Sequence, residues 1–335
     1  MKRVCVTGGA GFIGSTLADR LIADGVEVVL VDNFKTGHRD FIAGALASDR
    51  VKLVEGDVLD AALLEAAFVG CDWIFHLQAN ADVRRGFEYP RVDLEQNTIA
   101  TANVLEAMRA SGVKRIAFSS TGPVYGEPEV FPTPEDAPFP TQTSLYGASK
   151  LAAEGLIEAY ATGYGFTGVI FRFVSILGER YTHGHVFDFY RALARDPTRL
   201  PVLGDGSQEK SYLYVQDCLD AFLLAVKTHH DDAGSAHIYN LGTDETVFVR
   251  DSVRIITEAL SLAPQIEYAG GRRGWPGDSP LIHLDTARMR ALGWRPKLTI
   301  ERAVVRTVRW LAANESIWRE QAMEIPTTRQ PEVAL

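Results

Sequence analysis

The residues with the most direct chemical content are Tyr146 and Lys150, four positions apart in the segment YGASK. On a helix, positions i and i+4 share a face, so the pair would set a phenol beside an ammonium. An adjacent cation stabilises the phenolate, so the spacing predicts a Tyr146 pKa lowered from about 10 towards neutrality. Such a phenol is usable as a general base near pH 7. The spacing alone proves little in a chain with eleven tyrosines, where a solvated surface pair is the plain alternative. Position sets this pair apart. It opens a helical stretch after the loop that follows Ser119-Ser120-Thr121, three hydroxyl-bearing residues at the end of an apolar run.

A second set of residues could hold a dinucleotide. Residues 7–14 read TGGAGFIG, with glycines at 8, 11 and 14 between an apolar run and a helical stretch. Gly8 permits a tight turn, Gly11 lets backbone approach a pyrophosphate, and Gly14 lets helix pack closely on strand. The helix that opens at Phe12 and Ile13 would offer free N–H groups and a positive dipole end to the phosphates. Asp32 stands 18 residues after Gly14, followed by Asn33. A carboxylate there can accept both ribose hydroxyls and would repel a 2′-phosphate, which favours NAD over NADP. Gly56-Asp57-Val58 offers an adenine contact, although Asp57 reads equally well as a helix N-cap.

These groups need a frame, and the apolar runs supply one. Runs at 4–6, 26–31, 51–54, 73–77, 116–119 and 168–174 are continuous and short. Helical periodicity occupies 15–23, 61–68, 98–109 and 150–162. Such alternation predicts an α/β chain, a Rossmann-type doubly wound parallel sheet covered on both faces. Beyond residue 175 loops lengthen, and Gly and Pro cluster at 196–206 and 270–280. The reading is a dinucleotide domain over 1–174 with some later segments returning to it, a smaller α/β lobe over 175–320, and a frayed tail at 325–335.

With 335 residues, 46% hydrophobic and 23% charged, the composition excludes a disordered or fibrous chain. No apolar run is long enough to cross a bilayer. The N-terminus enters a strand pattern almost at once, which leaves no room for a signal peptide. A net charge of −9 gives no electrostatic reason to expect nucleic acid or an anionic membrane as partner. Cys5, Cys71 and Cys218 are odd in number and far apart. They read as reduced core thiols of a cytoplasmic protein, with neither a disulfide frame nor a zinc site. No metal site is expected elsewhere. His183 and His185 lack a third ligand nearby and read as solvent or substrate contacts, and HHDD at 229–232 reads as a solvated helix end. Phe187, Phe189 and Tyr190 read as packing residues.

Residues 7–14, Asp32, Asp57, the stretch from Ser119 to Gly126, and Tyr146 with Lys150 together resemble the extended short-chain dehydrogenase/reductase family. Across about residues 1–315 the chain is similar to its NAD-dependent nucleotide-sugar epimerases and dehydratases. Residues 204–217, GDGSQEKSYLYVQD, look like that family's sugar-nucleotide segment. Segments 186–189, 210–215 and 273–278 are most similar to the archaeal-type UDP-glucose (UDP-galactose) 4-epimerases.

The resemblance implies roles at matching positions. Thr121 would hydrogen-bond the reacting sugar hydroxyl, Tyr146 would be the base, and Lys150 would bind the nicotinamide ribose and tune Tyr146. Leu77, Ala79, Asn97 and Ser119 would line the cofactor site. Val83, Arg84, Gly122, Ser175, Val186 and Tyr212 would meet the substrate. Lys210 stands where many relatives place an arginine for the diphosphate; lysine keeps the charge and loses the bidentate fork. Arg273 would be a second diphosphate cation, and Asp278 a ribose or structural carboxylate. A homodimer built on helices near 95–110 and 147–163 is expected by analogy.

Departures from the family narrow the reaction. The 4,6-dehydratases resemble one another in a Thr-Asp-Glu triplet, and here the triplet is Thr121-Gly122-Pro123. Glycine and proline have no proton to give, so elimination is poorly supported, and decarboxylation somewhat less so. What remains is oxidation at C4 and return of the same hydride. Ser175 replaces a common asparagine, and Gln78 interrupts the usual His-Leu-Ala-Ala. The resulting expectation is an NAD-dependent 4-epimerase of a nucleotide sugar, UDP-glucose/UDP-galactose first. A UDP-hexuronic acid or UDP-N-acetylhexosamine epimerase and a 4-ketoreductase are the other enzymatic readings. A non-enzymatic NAD-binding regulator is disfavoured because both Tyr146 and Lys150 are present.

Overall fold

The computed structural model describes residues 1–80, 82, 83, 85–139, 141–274 and 278–317. Arg84, Trp275-Pro276-Gly277 and the expected tail at 325–335 lie outside the described residues.

The first part of the chain alternates strand and helix: β1 (Arg3–Thr7), α1 (Phe12–Ala23), β2 (Glu27–Asp32), α2 (Arg39–Leu46), β3 (Val51–Glu55), α3 (Ala61–Phe68) and β4 (Trp73–His76). Short helices α4 (Arg85–Glu88) and α5 (Pro90–Asp93) lead through a π-helical turn, Leu94–Ile99, into α6 (Ala100–Ser111). Then come β5 (Arg115–Ser119), α7 (Leu145–Tyr164) and β6 (Thr167–Phe173). The later part holds β7 (Ser175–Leu177), α8 (His185–Arg195), β8 (Arg199–Val202), β9 (Glu209–Lys210), β10 (Tyr212–Tyr214), α9 (Val215–Thr228) and β11 (Ser235–Leu241). It closes with β12 (Val247–Phe248), α10 (Val249–Leu260), β13 (Gln265–Tyr268), β14 (Leu281–Ile282), α11 (Ala287–Ala291) and α12 (Ile300–Ala313).

Seven of these strands form one parallel sheet in the order β11-β6-β5-β4-β1-β2-β3. The reversal of strand order beside β1 is the doubly wound signature, and ligands in such folds bind at the carboxyl ends around that point. Alternation along each strand feeds two cores. Val4 and Val6 join the core that runs under α1 and α9, while Cys5 joins the core beneath α3, α6 and α7. Trp73 and Phe75 divide from Ile74 in the same way. All three cysteines are buried and free.

Two elements differ from the periodicity. The helix read over 98–109 begins earlier as the π-helical turn and runs to Ser111. The seventh strand, β11, comes from far along the chain and pairs with β6 from Ser235↔Thr167 to Leu241↔Phe173. Its small pairs of strands, β7 with β10 and β8 with β13, and the three-stranded β12-β9-β14, all come from residues after 174. Among the described residues no helix is long and apolar enough to cross a membrane.

Candidate active site

The turn from β1 into α1 is set by backbone contacts that only glycine tolerates. Gly8 sits at φ +71°, and a Cβ there would come within 2.9 Å of the Gln78 backbone. A Cβ on Gly14 would lie 2.1 Å from the Gly8 carbonyl oxygen, so the first turn of α1 can pack against the loop only with glycine there. Gly11 is the N-cap of α1, with no side chain satisfying its first amides. Phe12 is buried edge-on against Tyr181, 5.8 Å between centroids, and Ile13 packs partly buried on the core.

Asp32 ends β2 beside this turn. Its carboxylate accepts from the Ala10 amide at 2.8 Å and the Phe34 amide at 2.8 Å. Burial raises its pKa while those two amides oppose the shift. Asp57 accepts from Asn33 Nδ2 at 2.9 Å, Lys35 Nζ at 3.1 Å and the Leu59 amide at 3.1 Å. Burial works against its charge, but the Leu59 amide, Asn33 and Lys35 together hold it below the usual carboxylate range. Asp57 is not the cap of the next helix. That role belongs to Asp60, which accepts from the Leu63 amide at 3.1 Å. Val58 is buried in the core under α3. A glycine cradle at an uncapped helix N-terminus, with a carboxylate at the end of the next strand, fits a dinucleotide with free ribose hydroxyls.

The reacting groups stand at the carboxyl end of β5 and the start of α7. Ser144 caps α7, accepting from the Gly147 amide at 3.0 Å. A Cβ on Gly147 would meet the Pro123 carbonyl oxygen at 2.6 Å, so α7 lies directly on the 3-10 turn Gly122–Tyr125. This brings Tyr146 into hydrogen bonding with Thr121. Lys150 Nζ donates to the Ser119 carbonyl at 2.8 Å and lies 4.6 Å over the Phe118 ring. Tyr146, Thr121 and Lys150 are all buried.

The electrostatics correct one expectation. Tyr146 is pushed up to about 12, by burial first; its hydrogen bond to Thr121 opposes this and the Asp93 charge adds to it. Lys150 is pushed down to about 7, by burial first, against the upward pull of Glu154 and Asp93. The i, i+4 spacing places both groups on one face, as expected, but the ammonium does not lower the phenol. Both groups are desolvated, and the lysine's hydrogen bond goes to a carbonyl of β5.

A buried polar layer behind the pair was not legible as such. Asn97, in the π-helical turn, donates from Nδ2 to Ser149 Oγ at 2.9 Å and accepts from the Asn80 amide at 2.9 Å. Asn80 donates to Asp93 Oδ1 at 2.7 Å. Burial raises the pKa of Asp93, whose Oδ2 is buried without a hydrogen-bond partner. The signal was available, since Asp93 precedes Asn97 by four residues and shares its face. His76 joins the layer from the end of β4, bonded to Thr7 Oγ1 at 2.7 Å and Thr101 Oγ1 at 3.1 Å. Burial, and then the Lys150 charge, hold it down at about 3. Ser119 Oγ donates to the His76 carbonyl at 3.2 Å, and the Leu77 amide to the Thr7 carbonyl at 3.2 Å. Gln78 now has a role: its Nε2 donates to Gln96 at 2.7 Å, and its backbone forms the wall against Gly8. Ala79 and Val83 are half-buried nearby in sequence.

Beneath Thr121, Ser120 donates to Glu154, which pairs with Arg172 at 2.6 Å, both side chains fully buried. Arg172 also donates to Tyr125 at 2.9 Å, and Tyr125 to Asn240 of β11 at 2.8 Å. This chain ties β5, α7, β6 and β11 together under the reacting groups.

The later part of the chain holds a second polar cluster. Lys210 Nζ donates to Asp278 Oδ1 at 2.8 Å and also to the Ser279 carbonyl. Arg273 donates to the Asp278 carbonyl at 2.6 Å and pairs with Glu127 at 2.6 Å. Ser175 is exposed on β7, opposite Tyr212 in register. Three expectations change here. The Tyr212 side chain is buried and bonded to His185 Nδ1 at 2.9 Å. Val186 is fully buried in the core. His185 is an interior residue, also 2.8 Å from Ser252 Oγ, and burial followed by the Lys210 charge pushes it down to about 3. Helix α8 turns this face inward, so Val186 and the Tyr212 ring serve packing. Phe187, Phe189 and Tyr190 are buried there too.

Comparison with known proteins agrees with this geometry. Residues 4–242 match the model of the NAD dependent epimerase/dehydratase family. The chain belongs to that family. As a member of it, the chain has NAD as cofactor, and the cradle at Gly8, Gly11 and Gly14 with Asp32 is where its residues fit one. A putative UDP-glucose 4-epimerase of Methanocaldococcus jannaschii is 31% identical over 317 residues, covering 93% of this chain and 99% of that one. A crystal structure of a UDP-galactose 4-epimerase superposes with a TM-score of 0.84 at 38% identity, covering 93% and 99% of the two chains. A double mutant of a dTDP-glucose 4,6-dehydratase from Streptomyces venezuelae superposes with a TM-score of 0.86 at 28% identity, over 95% and 99%. Within the epimerase/dehydratase family, overall shape therefore does not separate the two reactions.

Proposed function

We propose that this protein is an NAD-dependent 4-epimerase of a nucleotide sugar, with UDP-glucose/UDP-galactose as its substrate pair. The observation that carries the choice of reaction is the turn after Thr121. Gly122 and Pro123 pack against α7 there and offer no acid to the sugar. Tyr146 and Thr121 are left as the pair that can exchange a proton with a single sugar hydroxyl. When bound, NAD supplies a hydride acceptor that returns the same hydride, and in its oxidised form a positive charge that favours the Tyr146 phenolate. Tyr146 takes the proton of the C4 hydroxyl as the C4 hydride leaves, and Thr121 holds the sugar oxygen. The 4-keto sugar turns about its diphosphate link, so that hydride would return to the opposite face of C4, and Tyr146 returns the proton to the C4 oxygen. Lys150, poised near neutrality, can gain charge as the phenol loses its proton. Lys210 and Arg273 hold the diphosphate in this reading.

The short, exposed Ser175 favours one second reading, a UDP-hexuronic acid 4-epimerase, because a serine leaves room that an asparagine would fill. Exposed Leu94 and Ile99 in the π-helical turn and Tyr164 at the end of α7 support a homodimer through the α6 and α7 face. Three reduced, buried thiols support a cytoplasmic location. Dividing the chain near residue 174 into a cofactor part and a substrate lobe also belongs to this reading.

The test is proton NMR of UDP-glucose, UDP-glucuronic acid and their N-acetyl relatives with purified protein and NAD. A new anomeric signal from one 4-epimer, without net NADH, is expected, and Tyr146→Phe should slow it by about 100-fold or more. A deoxy-keto product, or full turnover in Tyr146→Phe, would overturn the reading.

A further inference from the structure

We propose that His229, Asp232 and His237 form a binding site for a divalent transition-metal ion of the zinc class, remote from the reacting groups. The three residues lie within nine positions, His229 and Asp232 on the connection after α9 and His237 near the start of β11. The chain turns there at the amino ends of the sheet strands, opposite Thr121 and Tyr146. One side-chain ligand atom from each lies within 4.8 Å of the others. His229 Nδ1 is 2.7 Å and His237 Nε2 3.2 Å from the same oxygen, Asp232 Oδ2. Ligand atoms around tetrahedral zinc, with bonds of about 2.0–2.1 Å, stand about 3.3 Å apart. Reaching that geometry requires the two imidazoles, which lie 15° from parallel, to tilt until one ion lies in both ring planes.

Three further observations distinguish this from an ordinary surface ion pair. First, His237 Nε2 is a buried nitrogen that lacks the alignment of a hydrogen bond. One carboxylate oxygen is crowded by two imidazoles and satisfies one. Second, the far nitrogen of His229, Nε2, is 2.5 Å from the Tyr239 hydroxyl. An oxygen partner on the opposite ring nitrogen orients a ligating histidine and leaves Nδ1 facing the ion. The His237 ring is stacked on it at 3.6 Å and 15°, so the two imidazoles already stand side by side at the Asp232 carboxylate. Third, His229 is the C-cap of α9, at the negative end of that helix's dipole, where a cation is favoured. The side chains are 11%, 42% and 27% exposed, respectively, for His229, Asp232 and His237, so an ion can enter and water can take the fourth position.

The ion would tie the end of α9 to the edge strand β11. Its effect falls on stability and leaves the reacting groups untouched. The experiment uses the untagged, metal-free full chain, titrated with Co²⁺ and followed by visible absorption, with Zn²⁺ competition and thermal melts in parallel. One equivalent should bind with a d–d band of low-symmetry geometry, Zn²⁺ should displace it, and Zn²⁺ should raise Tm by several degrees. Asp232→Asn and His237→Gln should each weaken binding at least about tenfold and remove the Tm rise, with turnover unchanged. Asp232 is the more exposed of the two, so its variant remains informative if His237→Gln melts early. No Co²⁺ band in the parent chain, or a band that survives both substitutions, would overturn the proposal.

Discussion

Two lysines, Lys150 buried and Lys210 partly buried, are assigned to opposite ends of the proposed substrate, and they are held in different ways. Lys150 is almost fully buried and gives its hydrogen bond to a carbonyl oxygen of β5. Its nearest acids, Glu154 and Asp93, act only through space, and burial brings it down to about 7. Lys210 is also lowered by burial, but it rests directly on the Asp278 carboxylate, which opposes the shift. A lysine in contact with an acid keeps its charge. A lysine without one holds a charge that its surroundings can switch. The first suits a fixed anchor for phosphate and the second suits a group that follows a proton.

Removing the switchable lysine should have the largest effect. Lys150→Met is expected to lower kcat about 100-fold or more. It should also change how stability depends on pH. In the unfolded chain lysine titrates near 10.4, and in the folded protein Lys150 titrates at about 7. Below pH 7 both states hold the proton, and the folded state bears the full cost of a buried ammonium. Between pH 7 and about 10 only the unfolded state keeps it, so stability rises with pH. Thermal melts from pH 6 to 10 should show Lys150→Met more stable than the parent at pH 6, with the gap closing as pH rises. A gap that stays flat would mean that Lys150 keeps its charge throughout, and the contrast with Lys210 would fail.

Removing the anchored lysine should act on binding. Lys210→Ala is expected to raise KM for the UDP-sugar by about 10- to 100-fold, the worth of a charge-assisted hydrogen bond, with kcat within a few-fold. Lys210→Arg should recover most of the loss, since the charge is kept. A fall in kcat at unchanged KM would place Lys210 in the chemical step and erase the distinction.

How much of this was legible depended on the range of each constraint. The glycines at 8, 11 and 14 and the carboxylate at Asp32 answer to local backbone geometry, so spacing alone located them. The Tyr146–Lys150 face was legible because i, i+4 is a helical fact. The pKa order of that pair was not, because it depends on desolvation and on Asp93, which only the π-helical turn brings near. The inward direction of Val186 and Tyr212 was not legible, because the placement of α8 and of β10 is set by long-range packing. His237 was invisible beside HHDD because it lies on β11, a strand whose place in the main sheet no local pattern announces. Contacts within a turn of helix or a single loop could be read; contacts made by distant strands could not.

The smallest expected effect tests the other diphosphate cation. Arg273 pairs with Glu127, and both side chains are close to half exposed, 44% and 45%. An exposed pair of this kind is weak and screened by salt. If Arg273 must leave Glu127 to meet a diphosphate, the glutamate competes with substrate. Glu127→Gln should then tighten UDP binding about two- to fivefold at low salt. The gain should shrink towards nothing near 1 M salt, where the competing pair is already screened. Calorimetric titration of UDP at both salt concentrations reads this directly. Equal affinities at low salt would mean that Arg273 stays with Glu127 and that Lys210 alone meets the diphosphate. The fixed anchor would then be a single residue, and its loss in Lys210→Ala should fall at the upper end of the range given above.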